Sequence, residues 1–399
     1  MSTIQARPSD LGTAYGRPPS TYEALITEVG PGTPCGEWMR RYWHPVALSA
    51  KVVPTPQNIR LLGEDLIIFR DRKGRPGLLY PRCAHRGTTL YYGKCEDDGI
   101  RCCYHGWLFS VDGRCLDQPC EPDGGAHKDR VRQPWYHVEE RYGLVWAYMG
   151  PPEKMPVLPR YDTLEHLDAG EELYVTGSSF GAGGDDVHEI VPCNWLQDWE
   201  NIMDPFHIPI LHTSFSGVQF VPEMGVMPTV TYEQADHGMK YTAYRELPDG
   251  RKMNRVTQAL FPHVRIVPDT HLAAGKASSV GFVLPVDDTH FRLFHIMRVP
   301  QGFDFEAQRA ARGVKKWSDR TEEEKQARPG DWEAQVGQGP ITFHSEENLA
   351  GSDRGVGRLR QYLRKQIKLV AEGGDPDGVT FDPAGELYTV QAGNYYLNA

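Results

Sequence analysis

The sequence predicts an α+β fold in three parts, and three observations carry that expectation. Between Pro45 and Pro152 short β-like runs alternate with turn signals. Further on, Phe291, Leu293, His295, Met297 and Val299 fall on every second position, which places them on one face of a strand. Near the end, Val356, Leu359, Leu363, Ile367 and Val370 recur at helical spacing. The implied parts are a helical segment over residues 1–44 that packs on the last part, a β-sheet domain over 45–155, and an antiparallel β-sheet covered by helices over 156–399.

Each element follows from local signals. In the Pro/Gly-punctuated first part, helices are predicted around Tyr22–Val29 and Gly36–Tyr42. In the second, Ile59–Leu62 and Asp65–Arg70 are β-like runs, and Asp71-Arg72-Lys73-Gly74 is a hairpin turn. Trp107–Val111 then meets Asp112-Gly113, a strong hairpin signal, and Gly143–Met149 is the last strand before Gly150-Pro151-Pro152. The third part opens β-rich, carries a helical run near Trp195–Ile210, and returns to strands through about residue 300. A charged, solvent-facing segment, Asp304–Arg328, precedes the terminal helix.

The chain has 399 residues and a formal net charge of −10, which argues against nucleic acid or an anionic membrane as the main partner. Met1–Tyr15 lacks a signal-peptide pattern and no apolar run is long enough to span a bilayer, so a cytoplasmic location is expected. Eight cysteines in such a chain point to metal binding or buried thiols before disulfides.

The first chemical constellation is Cys83-Ala84-His85 and, sixteen residues on, Cys102-Cys103-Tyr104-His105. Two thiolates on one iron and two neutral imidazoles on the other would hold a Rieske-type [2Fe–2S] cluster and raise its reduction potential. Gly87 and Gly106 follow the pairs, as tight loops require. The competing reading is a structural Cys2His2 zinc site. Such sites usually space the first pair by two to four residues and segregate Cys from His, whereas here each half supplies one of each.

The second constellation is Asp204, His207 and His212. Asp204 and His207, three apart, share a helix face. An undisturbed helix would splay His207 and His212 by about 140°. Pro209 lies between them, and a break there can turn both imidazoles to one point. They would supply two vertices of a two-His-one-carboxylate iron site with open positions. The alternative is two helix histidines satisfied by hydrogen bonds, with Asp204 in a local salt bridge. The carboxylate must come from elsewhere, and Asp331, Glu333, Glu346, Glu347 and Asp353 are candidates.

These words resemble the Rieske non-haem iron aromatic oxygenases. Cys83-Ala84-His85-Arg86-Gly87 and Cys102-Cys103-Tyr104-His105-Gly106-Trp107 resemble the cluster loops, and Asn194–His212 resembles the iron motif. Cys103 stands where the family commonly has Pro. Thr88 and Tyr104 occupy the positions where respiratory Rieske proteins carry a disulfide, so the oxygenase branch is the nearer likeness; the other cysteines (35, 95, 115, 120, 193) are expected to be buried thiols or bystanders. Pro285–His290 and Gln338-Gly339-Pro340-Ile341 resemble the phthalate-dioxygenase-like branch. In that branch an Asp stands eight residues before the Gly of the last word, which assigns Asp331, with Glu333 next. His344 departs from the branch, which often has an Arg nearby.

The resemblance implies a helix-grip catalytic domain, a Rieske cluster with Cys83, His85, Cys102 and His105, and a mononuclear Fe(II) with His207, His212 and Asp331. It also implies that Asp204 links His207 to His105 of a neighbouring chain, and hence a head-to-tail homotrimer. No Gly-x-Gly-x-x-Gly enters a helix after a strand, since Gly181-Ala182-Gly183-Gly184 lacks the spacing. Electrons would therefore come from a separate NAD(P)H-dependent reductase, with or without a ferredoxin. The implied reaction is hydroxylation, with O2, of an aromatic and carboxylated substrate, or O-demethylation of a methoxylated or aryl-ether compound. Phe291, Leu293, His295 and Met297 could line a pocket, though core packing is favoured, and Arg255 or Arg265 could hold a carboxylate. A cluster-only electron carrier is the reading from a different class, and it leaves residues 160–399 unexplained.

Overall fold

The computed structural model describes residue 14 and residues 17–123, 125–177, 190–311, 313, 315, 317–385 and 387–397. The Gly181–Gly184 run and all of Met1–Tyr15 but Ala14 lie outside them. Two short helices open the described chain, α1 (Ala24–Thr27) and α2 (Pro34–Met39), the second started by Thr33, whose side chain accepts from the Gly36 N–H. The first ends at Thr27, where Glu28 turns extended, short of the expected Val29, and the second starts earlier than expected, at Pro34, and ends earlier, at Met39.

The β-rich region has two sheets. The larger comprises β1 (Trp43–Leu48), β2 (Gln57–Leu61), β3 (Glu64–Arg70), β4 (Pro76–Leu79), β9 (Trp135–Arg141) and β10 (Leu144–Tyr148), in the order β1-β10-β9-β4-β3-β2. The smaller is a meander of β5 (Lys94–Glu96), β6 (Gly99–Arg101), β7 (Leu108–Phe109) and β8 (Cys115–Asp117). The Asp71–Gly74 and Asp112-Gly113 turns fall where the sequence places them, with Gly74 and Gly113 at φ of 87° and 76°, which glycine adopts without strain.

The second region is built on a long antiparallel sheet. Its strands are β12 (Glu171–Thr176), β13 (Thr229–Ala235), β14 (Gly238–Glu246), β15 (Lys252–Leu260), β16 (Val264–Ile266), β18 (Ser279–Asp287) and β19 (His290–Pro300), ordered β12-β19-β18-β16-β15-β14-β13. β21 (Gly393–Leu397) pairs with β15 and with the short β17 (Gly275–Lys276), while β11 (Arg160–Tyr161) and β20 (Leu387–Tyr388) form a separate parallel pair. The helices are α3 (Asp162–Glu165), α4 (Trp195–Asn201), α5 (His207–Pro209), α6 (Phe305–Ala311), α7 (Glu322–Ala327), α8 (Asp331–Val336) and α9 (Arg354–Ala371). Both α6 and α7 lie inside the charged segment. Among the described residues no helix is long and apolar enough to cross a membrane.

One core joins the sheets to the helices. Leu359, Leu363 and Ile367 of α9, Trp195 and Trp199 of α4, and Phe291, Leu293, Phe294 and Ile296 of β19 all belong to it. In β19, then, both faces are covered, and Phe291 and Leu293 are core packing. On the same helix Arg360 is buried and forks between Glu200 and Glu347. Removing one member of a buried ion pair leaves the other charge uncompensated. Arg360→Met should lower unfolding stability by about 3 kcal/mol in a denaturant titration. An unchanged midpoint would show that the fork contributes nothing net.

Candidate metal centres

The two Cys–His words form two matching loops. In each, the Cys N–H donates to the carbonyl five residues on (Thr88 at 2.9 Å, Trp107 at 2.9 Å). In each, the glycine N–H donates back to the Cys carbonyl (Gly87 at 2.8 Å, Gly106 at 3.1 Å). Those glycines sit at φ of 77° and 73°, and a Cβ on Gly106 would lie 2.7 Å from Pro119 Cγ. The loops face each other: the His85 and His105 ring centroids are 4.5 Å apart. His85 stacks on Trp107 at 4.4 Å and 6°. Cys83 and Cys102 are buried while both imidazoles are partly exposed.

Gln133, fully buried, straps the first loop in place. Its Oε1 accepts from the Ala84 N–H at 2.8 Å and its Nε2 donates to the Tyr80 and Arg82 carbonyls. Burial, with Cys102 alongside, pushes the Cys83 thiol up to about 11. Keeping Cys83 as a thiolate beside Cys102 takes a cationic centre between the two sulfurs, which is the charge an iron–sulfur cluster would supply. Cys103 and Cys120 are exposed, and Cys35, Cys95, Cys115 and Cys193 are buried free thiols.

The second centre gathers His207, His212 and Asp331, whose ligand atoms lie within 4.8 Å of one another. The helix from Trp195 stops at Asn201, α5 restarts at His207, and from Ile210 to Phe215 the chain winds as a π-helix, with Ser216 N–H donating to Leu211 O. That wider winding, rather than a simple proline break, brings residues five apart towards one side. Asp331 Oδ1 stands 3.2 Å from His212 Nε2 and 3.7 Å from His207 Nε2. The other carboxylates are engaged elsewhere: Glu333 caps α8, Glu347 pairs with Arg360, Glu346 with Arg17, and Asp353 caps Ala350 N–H.

The surroundings orient His212 and keep Asp331 ionised. His212 Nδ1–H donates to Gln219 Oε1 at 2.7 Å, which turns Nε2 towards Asp331, and Gln219 Nε2 in turn donates to Pro329 O. Burial alone would raise the Asp331 carboxyl; the His212 hydrogen bond and the charges of His207, His212 and Arg265 outweigh it and hold the group well below the usual carboxylate range. Two imidazoles and an ionised carboxylate on one side fit a divalent iron with open positions.

Asp204 lies beside this centre, partly exposed. Its Oδ2 is 3.6 Å from His207 Nδ1, beyond hydrogen-bond reach, and its Oδ1 accepts from the Phe206 N–H at 2.8 Å. His207 Nδ1 has no hydrogen-bond partner among the described residues. Losses at residues that orient a metal ligand run at about 10–100-fold. Asp204→Asn should therefore lower turnover by about that factor while cluster absorption is unchanged; undiminished turnover would reduce Asp204 to a cap of its own loop.

Neither arginine singled out in the sequence is free to hold a substrate. Arg265 Nη1 binds both oxygens of buried Asp198 at 2.9 and 3.0 Å, and Arg255 donates to the Asp269 and Pro268 carbonyls and to Asn394. His295 and Met297 are half-buried on the sheet face. His344 accepts the Glu23 N–H with its Nδ1 at 3.1 Å. Sequence reasoning missed Gln133 and Gln219, because a glutamine carries no metal signature of its own.

Two iron centres of different ligand type, one suited to passing electrons and one with open positions, define an oxygenase. Comparison with known proteins agrees. The Rieske [2Fe-2S] domain model matches residues 42–134. The chain is 53% identical over 389 residues (97% of this chain, 95% of the relative) to the phenoxybenzoate dioxygenase subunit alpha of Ectopseudomonas oleovorans. It is 39% identical (88% and 77% covered) to the tert-butanol monooxygenase / tert-amyl alcohol desaturase oxygenase subunit of Aquincola tertiaricarbonis. The solved structure of Pseudomonas putida CBB5 NdmB shares the fold, with a TM-score of 0.64 at 20% identity, covering 88% of this chain and 96% of that one. The chain belongs to the oxygenase (alpha) subunits of the Rieske non-haem iron oxygenases. It is an oxidoreductase of α+β fold with a Rieske [2Fe–2S] cluster and a mononuclear iron site.

Proposed function

We propose that the chain is the terminal oxygenase of a multicomponent system that hydroxylates an aromatic, carboxylated substrate. Electrons come from a separate NAD(P)H-dependent reductase, directly or through a ferredoxin, and the assembly works in the cytoplasm. The convergence of His207, His212 and Asp331 carries this reading, in a chain more than half identical to a phenoxybenzoate dioxygenase subunit. Cys83, Cys102, His85 and His105 hold the cluster, and His207, His212 and Asp331 hold the iron. The cluster supplies single electrons and the iron a site where O2 is reduced beside the substrate.

The protein's own part is orientation and charge. Gln219 fixes the His212 tautomer, and the Arg265–Asp198 pair keeps a positive charge near Asp331. Gln197 of α4 donates to the carbonyls of Gln335 in α8 and of Gly339 just beyond it, which ties the helix that carries Asp331 to α4. The half-exposed imidazoles of the cluster loops and the exposed side of Asp204 suit a head-to-tail homotrimer, with Asp204 between His207 and His105 of a neighbouring copy.

The test supplies reductase, NADH and 18O2 to the purified protein with a panel of aromatic acids and methoxyarenes. A hydroxylated aromatic acid carrying label is the expected product. Formaldehyde with a phenol would establish O-demethylation instead, which the branch resemblance of Pro285–His290 and Gln338–Ile341 allows. If iron-replete protein oxidises no member of the panel, the aromatic assignment falls.

A further inference from the structure

A pair of buried cations, Arg245 and Arg255, lies on the sheet face beneath the iron-binding segment. Ala243 pairs with Arg255 and Arg245 with Met253 across β14 and β15, so Arg245 and Arg255 share one face of the sheet. Each is 1% exposed. Arg255 is held by carbonyl oxygens and Asn394, and its Nε has no partner among the described residues. Arg245 donates from Nε to Val226 O at 2.9 Å, but its two terminal nitrogens, Nη1 and Nη2, are buried without a hydrogen-bond partner among the described residues. Among the described residues neither guanidinium meets a carboxylate.

That arrangement is unfavourable in isolation. A buried charge is tolerated when it is paired, and two like charges on one dry face raise the cost. The missing partner is an anion. The unfilled edge of Arg245 is the forked Nη1/Nη2 pair, whose geometry matches the two oxygens of a carboxylate.

The place is next to the chemistry. Met253, the cross-strand partner of Arg245, shares an apolar cluster with Ile208, which adjoins His207, and with Met224 and Leu272. Val226, which anchors Arg245, follows the turn Pro222–Gly225, and that turn sits against Thr213 beside His212 so closely that a Cβ on Gly225 would lie 2.6 Å from Thr213 Cγ2. An aromatic acid gripped at Arg245 would lay its ring along the apolar cluster towards the two histidines.

We propose that Arg245 is the substrate-binding residue for the carboxylate of this oxygenase, a specificity determinant that selects aromatic acids over their neutral analogues. The proposal deepens the aromatic-acid reading above and rests on it. Arg245 takes the place that the sequence suggested for Arg255 or Arg265, and Arg255 contributes long-range charge without direct contact.

The test is calorimetric titration of the anaerobic holoprotein with 3-phenoxybenzoate and 3-phenoxybenzamide. The wild type should bind the acid at least about tenfold tighter than the amide. Arg245→Met should weaken the acid by about 100-fold and leave amide affinity and cluster absorption unchanged. Arg245→Lys keeps the charge and loses the fork, so its loss should be nearer tenfold and again confined to the acid. That variant carries the test if the Met variant does not accumulate. Retention of the acid preference in both variants overturns the anchor and leaves the aromatic-acid reading standing. Equal binding of acid and amide by the wild type, as a permanently held chloride would give, also overturns the anchor alone. A wild type that binds neither probe overturns the anchor and the aromatic-acid reading together.

Discussion

Asp331→Ala is expected to empty the mononuclear site and lower product formation by more than about 100-fold, since changes to residues that only orient a ligand already cost 10–100-fold. Asp331 is the one carboxylate that the described structure brings to both imidazoles, at 3.2 and 3.7 Å. The visible absorption of the cluster should be unaffected, because neither cluster loop touches α8 among the hydrogen bonds described. Metal analysis beside the spectrum separates the two effects. A variant that keeps full iron and full turnover would hand the ligand role to another carboxylate.

Cys102→Ala should give the converse. Cys102 is buried at the head of the second loop, with its N–H bonded to Trp107 O and its carbonyl accepting from Gly106. Without its thiolate the cluster should fail to assemble, the brown colour should be lost and reductase-driven turnover should fall to background. Ferrous iron should still bind at the second centre, as titration of the variant would show. A variant that stays coloured and active would remove Cys102 from the ligand set and reopen the zinc reading of the first constellation.

The two results together would separate the centres, and they also mark what the sequence made legible. The two loops could be read because each is local: Cys, His and Gly within five residues mark the turn and the proposed ligands together. The hairpins at Asp71–Gly74 and Asp112-Gly113 were legible for the same reason. Asp331 lies 119 residues from His212 in sequence, and only the likeness of the Gln338–Ile341 word pointed to it. The π-helical winding at Ile210–Phe215 leaves no periodic signature in six residues, so the sequence could locate a break without its form. Burial was the least legible property. Arg245 sits between Tyr244 and Glu246 near a strand end and reads as surface, whereas Arg255 and Arg265 turned out to be tied to the protein itself. Gln133 reaches the first loop from 49 residues away, a contact that only the fold creates.

That one chain holds two different iron centres is tested most directly by the iron, acid-labile sulfide and zinc content of anaerobically purified protein, measured per chain. A [2Fe–2S] cluster with a separate mononuclear iron requires about three iron and two sulfide per chain, with no stoichiometric zinc. About two iron and two sulfide, unchanged after incubation with ferrous iron, would contradict the account by leaving a cluster-only electron carrier, and zinc without sulfide would contradict it entirely.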